Sequence, residues 1–223
     1  MPREEYQTAL GDLRADVLAL GADVVDQLEA GLTALDTGDE ALAREVIDAD
    51  AAINDRYLAL ESDCVDLLAL QQPVASDLRF VAASFKILTD LERVGDLATN
   101  LGEYALSADG ESGDVDVDAI GADAVDQLET ALAAYESGDP DACRAVAARD
   151  DDLDALCQRA SEAVVRDLLE RETGDDSWAA ERVLDDVSRL LLTVRDLERV
   201  GDHAVNVAAR TLYMLENDSE LLY

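Results

Sequence analysis

Asp90-Leu-Glu-Arg-Val-Gly-Asp-Leu-Ala-Thr-Asn100 returns almost unchanged as Asp196-Leu-Glu-Arg-Val-Gly-Asp-His-Ala-Val-Asn206. Two copies of so particular a string mark an internal duplication. The duplication extends upstream, where Gly21-Ala-Asp-Val-Val-Asp-Gln-Leu-Glu29 recurs as Gly121-Ala-Asp-Ala-Val-Asp-Gln-Leu-Glu129. The offset is 100 residues at that string and 106 at the later one, so the second unit carries a net insertion of six. One structural unit is written twice, and its nature decides the fold.

Around these strings apolar residues recur at helical spacing, with only three prolines in the chain. The spacing predicts a first helix from about Tyr6 to Leu35, a second ending near Leu70 and a third from about Val74 to Leu106. Thr37-Gly38-Asp39 stops the first and caps the second: glycine tolerates the left-handed position and aspartate accepts from free amides. Gln71-Gln72-Pro73 breaks the second. The plan repeats from about Val117, with Ser137-Gly138 as a stop and Asp139-Pro140 as an opening. Thr173-Gly174-Asp175-Asp176-Ser177 makes the last turn before a helix reaching about Asn217. Ser107 to Asp114, with two glycines, two serines and no large apolar residue, reads as a linker. The expected fold is all-α: two tandem three-helix bundles, up-down-up, over residues 1–106 and 117–223, joined by 107–116. Gly21 and Gly121 fall inside helical patterns, where glycine costs about 1 kcal/mol against alanine. Close helix approach is the reason available.

A net charge of −35 is extreme, and Lys86 is the only lysine among 223 residues. Such acidity alone suggests disorder, but 49% apolar residues is the content of a folded protein. The pattern resembles salt-adapted proteins of halophilic archaea, whose carboxylates keep the surface hydrated while salt screens their repulsion. Such a surface repels phosphate backbones, which argues against nucleic-acid binding. No apolar run approaches the ~20 residues that span a bilayer. The opening Met1-Pro-Arg-Glu-Glu-Tyr-Gln lacks the apolar core of a signal peptide, so a soluble cytoplasmic chain is expected, with no membrane insertion. Cys64, Cys143 and Cys157 form no ligand-like cluster and read as buried thiols.

At about 100° per residue, Leu91, Val94, Ala98, Leu101 and Ala105 share one face of the third helix. Glu92, Asp96, Asn100 and Glu103 share another, nearly opposite. The sixth helix sets Leu197, Val200, Ala204 and Val207 against Glu198, Asp202 and Asn206. Carboxylates four apart stand one turn above each other, near enough to share a cation, and without one they destabilise the helix by a few tenths of a kcal/mol. A solvated acidic face is the ordinary reading of any single Glu-x-x-x-Asp, and Asp23/Asp26 and Asp123/Asp126 are read that way. Repetition with arginine, glycine and asparagine retained raises the motif above that background, because core packing does not explain repeated outward asparagines. The stripe points away from the core of its own bundle, so a surface site is expected. Arg93 and Arg199 are expected in ion pairs with the acids three residues on. Gly95 and Gly201 suit close approach of a neighbour. His203, about 100° off the middle of the stripe, reads as a flank residue rather than a ligand. Asp50 with Asn54, and Asp150 with Asp154, form a second acidic set on the middle helices and are not promoted to ligands.

Gln72-Pro-Val-Ala-Ser-Asp-Leu-Arg79, followed by Asp90-Leu-Glu-Arg-Val-Gly-Asp96 and Asn100, resembles the PhoU family of phosphate-uptake regulators. Leu197-Glu-Arg-Val-Gly-Asp-His203 with Asn206 is similar to that family's second repeat. The resemblance implies multinuclear metal sites, iron or zinc foremost, on Glu92 and Asp96 in one half and Glu198 and Asp202 in the other. Asn100 and Asn206 follow on the same stripe as ligands or as donors behind them. It also implies a non-enzymatic cytoplasmic regulator that restrains uptake through a Pst-type phosphate ABC transporter, with a sensor kinase as a further partner in bacteria. The second unit lacks the Gln-Pro start. Two other readings stand beside this one. A di-metal carboxylate oxidase would use Glu-x-x-His pairs inside a bundle, and neither Glu92 nor Glu198 has a histidine three residues on. A metal-free structural adaptor is the other. Long flat helical faces are compatible with a homodimer.

Overall fold

The computed structural model describes residues 3–70, 75–107, 116–170 and 177–221. Six helices follow in order: α1 Arg3–Thr37, α2 Glu40–Leu70, α3 Ala75–Leu106, α4 Val117–Ser137, α5 Pro140–Glu170 and α6 Ser177–Glu216. They match the expected six within a few residues at each end. The break at Gln71-Gln72-Pro73, most of the linker and the turn at Thr173–Asp176 lie outside the described residues.

The turns between the first two helices of each unit are built alike. Gly38 and Gly138 take the left-handed conformation, with φ of 66° and 67°. The Asp39 carboxylate then accepts from the amides of Ala41 and Leu42 at 2.9 and 3.1 Å. Asp139 does the same for Asp141 and Ala142 at 2.9 and 3.2 Å. Satisfying these free amides is worth about 1 kcal/mol at each cap.

Within each unit the three helices pack on one another, and across the units α1 meets α4 and α3 meets α6. Leu91, Val94, Leu97 and Leu101 on α3 are buried, as are Leu197, Val200 and Val207 on α6. Each such side chain contributes about 1.5–3 kcal/mol. Most buried residues of both units form one continuous cluster, with Ala34, Ala43 and Ala105 in a small separate one. The three cysteines are free and buried, and burial pushes the Cys64 and Cys157 thiols up to about 12.

The glycines of the first repeated string are explained by the α1–α4 crossing. A Cβ on Gly21 would lie 2.8 Å from Cδ2 of Leu132, and one on Gly121 would lie 2.5 Å from Cδ2 of Leu32. Leu32 and Leu132 are equivalent positions, so each unit lends a leucine to the other's glycine. The contact is reciprocal, as across the two-fold axis of a dimer.

Candidate functional site: acidic ladders beside a reciprocal seam

The repeated undecapeptides lie along the contact between α3 and α6. Asn100 Nδ2 donates to Asp196 Oδ2 at 3.0 Å, and Asn206 Nδ2 donates to Asp90 Oδ1 at 3.2 Å. The first residue of each string thus accepts from the last residue of the other. Tyr104 adds a hydroxyl to Asp196 Oδ2 at 2.8 Å, and His203 Nδ1 lies 3.0 Å from Asp90 Oδ1. The Asp196 side chain has 0% exposure, against 13% for Asp90. A carboxylate so completely removed from water persists only with donors this close.

These contacts amend the expectation that the polar stripe faces outward. α3 and α6 are covered on more than one side, so Asn100 and Asn206 turn toward the opposite unit with their amide nitrogens already committed. Glu92 retains 21% exposure and Asp96 43%. Glu198 is half-buried and Asp202 exposed. His203 is a seam residue rather than an uncommitted flank. Arg93 pairs with Asp96 at 3.5 Å as expected, whereas Arg199 reaches back to Asp196 at 3.8 Å instead of forward to Asp202.

Acids on the middle helices stand within electrostatic reach of each ladder, Asp50 in the first unit and Asp150 and Asp154 in the second, although the sequence does not single them out as ligands. Burial first, then Asp96, raises the Glu92 carboxyl, with Asp50 adding and Arg93 opposing. Burial and then Asp50 raise Asp96. In the second unit burial and then Asp154 raise both Glu198 and Asp202.

Gln27 and Gln127, also inside a repeated string, lie under these acids. Gln27 Nε2 donates to the Val46 carbonyl at 3.0 Å and to Thr99 Oγ1 at 3.2 Å. Thr99 lies 3.4 Å from Asp50, which accepts from Asn54 at 2.8 Å. In the second unit Val205 stands where Thr99 did, and Gln127 Nε2 donates directly to Asp150 Oδ1 at 3.1 Å. Both glutamine Oε1 atoms are buried without a hydrogen-bond partner. A Cβ on Gly201 would lie 2.9 Å from Gln127 Oε1 and 3.1 Å from Asp150 Oδ1. The glycine thus lets amide and carboxylate approach the sixth helix.

Asp150, with Asp154 in place of an asparagine donor, is the most perturbed acid of the set. Burial, opposed by the Gln127 amide and reinforced by Asp154 and Asp202, pushes its carboxyl from 3.8 up to about 6. The folded protein therefore holds a proton that the unfolded chain releases, so stability falls as pH rises through this window and stays lower above it. With chelator present, Asp150→Asn should be more stable than the parent near neutral pH by about 1 kcal/mol, after allowance for solvent screening. The advantage should vanish below the ordinary aspartate range, as read by urea denaturation at both pH values.

All the donors of the two ladders are oxygens, the chemistry of a hard or borderline cation, and their mutual repulsion and orphaned amide oxygens fit one. Among the described residues, no group of three or more His, Cys, Asp or Glu side chains converges as a closed ligand set. Binding would require the ladder side chains to rotate.

Taken together, the six helices define a duplicated helical-bundle protein whose two units share a core and carry matching acidic ladders. The PhoU domain matches it twice, over residues 17–105 and 117–211, and the chain belongs to the PhoU family. A Pseudomonas aeruginosa protein named phosphate-specific transport system accessory protein PhoU homolog is 34% identical, across 95% of this chain and 86% of its own length. The Escherichia coli K12 accessory protein PhoU is 28% identical over 95% of this chain and 86% of its own. The crystal structure of PhoU from Pseudomonas aeruginosa superposes with a TM-score of 0.88 at 31% identity, covering 96% of this chain and 100% of that one. The phosphate transport system regulatory protein PhoU from Streptococcus pneumoniae superposes at 0.86 with 25% identity, covering 96% and 98%. Among the described residues no helix is long and apolar enough to cross a membrane.

Proposed function

We propose that this chain is a cytoplasmic, non-enzymatic regulator that restrains phosphate uptake through contacts with a Pst-type phosphate ABC transporter. The observation that carries the reading is the duplicated ladder, Glu92/Asp96 and Glu198/Asp202, within a chain matched over nearly its whole length by transport-system accessory proteins. A sensor kinase is a further partner where the host has one. The regulatory test is deletion under phosphate-replete conditions. Uptake and transporter expression should both rise, and unchanged values for both would remove the reading.

In the same proposal the ladders hold iron or zinc. Glu92 and Asp96 would bind with Asp50 beside them, and Glu198 and Asp202 with Asp150 and Asp154. Such an ion would supply positive charge that relieves the repulsion within each carboxylate set. Asn100 and Asn206, locked into the seam, would hold Asp196 and Asp90 in place and orient the helices that carry the acids. Anomalous scattering from metal-soaked crystals should place density beside both ladders. The quadruple variant Glu92→Gln, Asp96→Asn, Glu198→Gln, Asp202→Asn should lose it while keeping the helical fold. Metal retained by that variant would show that the ladders are not the site.

A further inference from the structure

Between α1 and α2 runs a groove of about 460 Å³ whose floor includes Ala30, Val46 and Ile53 and whose rim carries Ala49, Asp23, Asp26, Glu45 and Arg56. The second unit offers a comparison at the equivalent place. At the position equivalent to Ala49 the second unit has Arg149, whose guanidinium is ion-paired with both Asp123 and Asp126. Asp123 and Asp126 are the counterparts of Asp23 and Asp26. In the first unit Asp23 turns to Arg56 instead. Among the described residues the Asp26 and Glu45 carboxylates make no hydrogen bond or ion pair. Glu45 has no acidic counterpart, since Ala145 occupies its equivalent. The first unit therefore keeps the carboxylates of an arginine site and adds one more, but its single arginine, Arg56, meets only Asp23 and leaves Asp26 and Glu45 without a cation.

We propose that this groove receives an arginine side chain from a partner protein, in the place that Arg149 fills in the second unit. The chemistry matches at both ends. An arginine carries an aliphatic stem that packs on an apolar floor and a planar fork that pairs with carboxylates. The rim outweighs its one cation, Arg56, so it attracts a basic segment and rejects an acidic one. The groove lies on the α1–α2 side of the first unit, not on the α3–α6 seam. The chemistry of the groove stands without the regulatory reading. Only the assignment of the partner to phosphate control rests on that reading.

The test uses the whole chain, amide-resolved NMR, and Nα-acetyl-arginine methylamide as probe. Saturable shifts are expected at Asp26, Glu45 and Ala49, with a Kd on the order of 1 mM. The neutral citrulline analogue should give none. Asp26→Asn should weaken binding about two- to fivefold, the worth of an exposed charge pair. Ala49→Arg, an exposed position where the second unit already tolerates arginine, should fill the groove from within and abolish binding without loss of stability. Equal shifts with citrulline, shifts confined to the ladders, or none would overturn the proposal. So would tighter binding of spermidine or Mg²⁺ in the groove, which would make it a small-cation site. In a deletion strain that shows the regulatory defect, Ala49→Arg should fail to complement, and full complementation would exclude docking here. A deletion strain with no defect removes the regulatory reading instead and leaves the NMR result to decide the groove.

Discussion

The double variant Asn100→Ala, Tyr104→Phe should lose about 3–5 kcal/mol of stability, the usual penalty for leaving a buried charge without its partners. Both donors to Asp196 Oδ2 disappear at once, while the carboxylate stays at 0% exposure. Arg195 at 3.3 Å and Arg199 at 3.8 Å remain, both approaching the other oxygen. The urea midpoint should fall with no change in slope, because the seam loosens without altering the surface exposed on unfolding. Asn206→Ala on the opposite half should cost only about 1 kcal/mol, since Asp90 keeps His203 and is partly solvated. Equal effects for the two halves would mean that water reaches Asp196 as readily as Asp90.

The second large effect separates two glycines that the sequence treats alike. A Cβ on Gly201 would meet Leu153 Cδ2 at 2.5 Å, Gln127 Oε1 at 2.9 Å and Asp150 Oδ1 at 3.1 Å. Leu153 is fully buried and has little room to give. Gly201→Val should therefore destabilise by about 1–3 kcal/mol through overpacking, even with the gain in helix propensity. On Gly95 the closest atoms, Gln27 Oε1 and Ile53 Cγ2, would both be 3.4 Å away. That is ordinary contact, so Gly95→Ala should be neutral or more stable by up to about 1 kcal/mol. Thermal denaturation should show a lower midpoint for Gly201→Val and an unchanged or higher one for Gly95→Ala. A shared direction would mean that the second unit's α5 does not sit as close to α6 as described.

Much of this architecture could be read from residue order. Helical periodicity, the Gly-Asp turns and two recurring strings lead to six helices in two units, because these signals are local and each half repeats them. The seam could not be read in that way. Periodicity places Asn100 on a polar face, but whether that face meets water or another unit depends on how the halves dock. Asp90 and Asp196 head the quoted strings, and their fixed distance from Asn100 and Asn206 was the available signal. It becomes meaningful only once the units face each other. Gln27 and Gln127 were likewise inside a repeated string, and a polar side chain retained beside a glycine was a hint of burial. Asp50, Asp150 and Asp154 do not stand out in the sequence, since acidic surfaces this dense hide a functional carboxylate among ordinary ones. Gly21 and Gly121 signal close approach in the sequence, but the leucines that approach them follow only from the crossing of α1 with α4.

The glycine–leucine exchange at one crossing and the asparagine–aspartate exchange at the other have a bearing on assembly. Both are self-complementary surfaces, of the kind two identical molecules use to associate, and here covalent linkage has closed them within one chain. A second copy of the protein finds those faces already saturated. Any homodimer must then be built from different surfaces, and its contacts would be a separate invention, owing nothing to the symmetry that joins the halves.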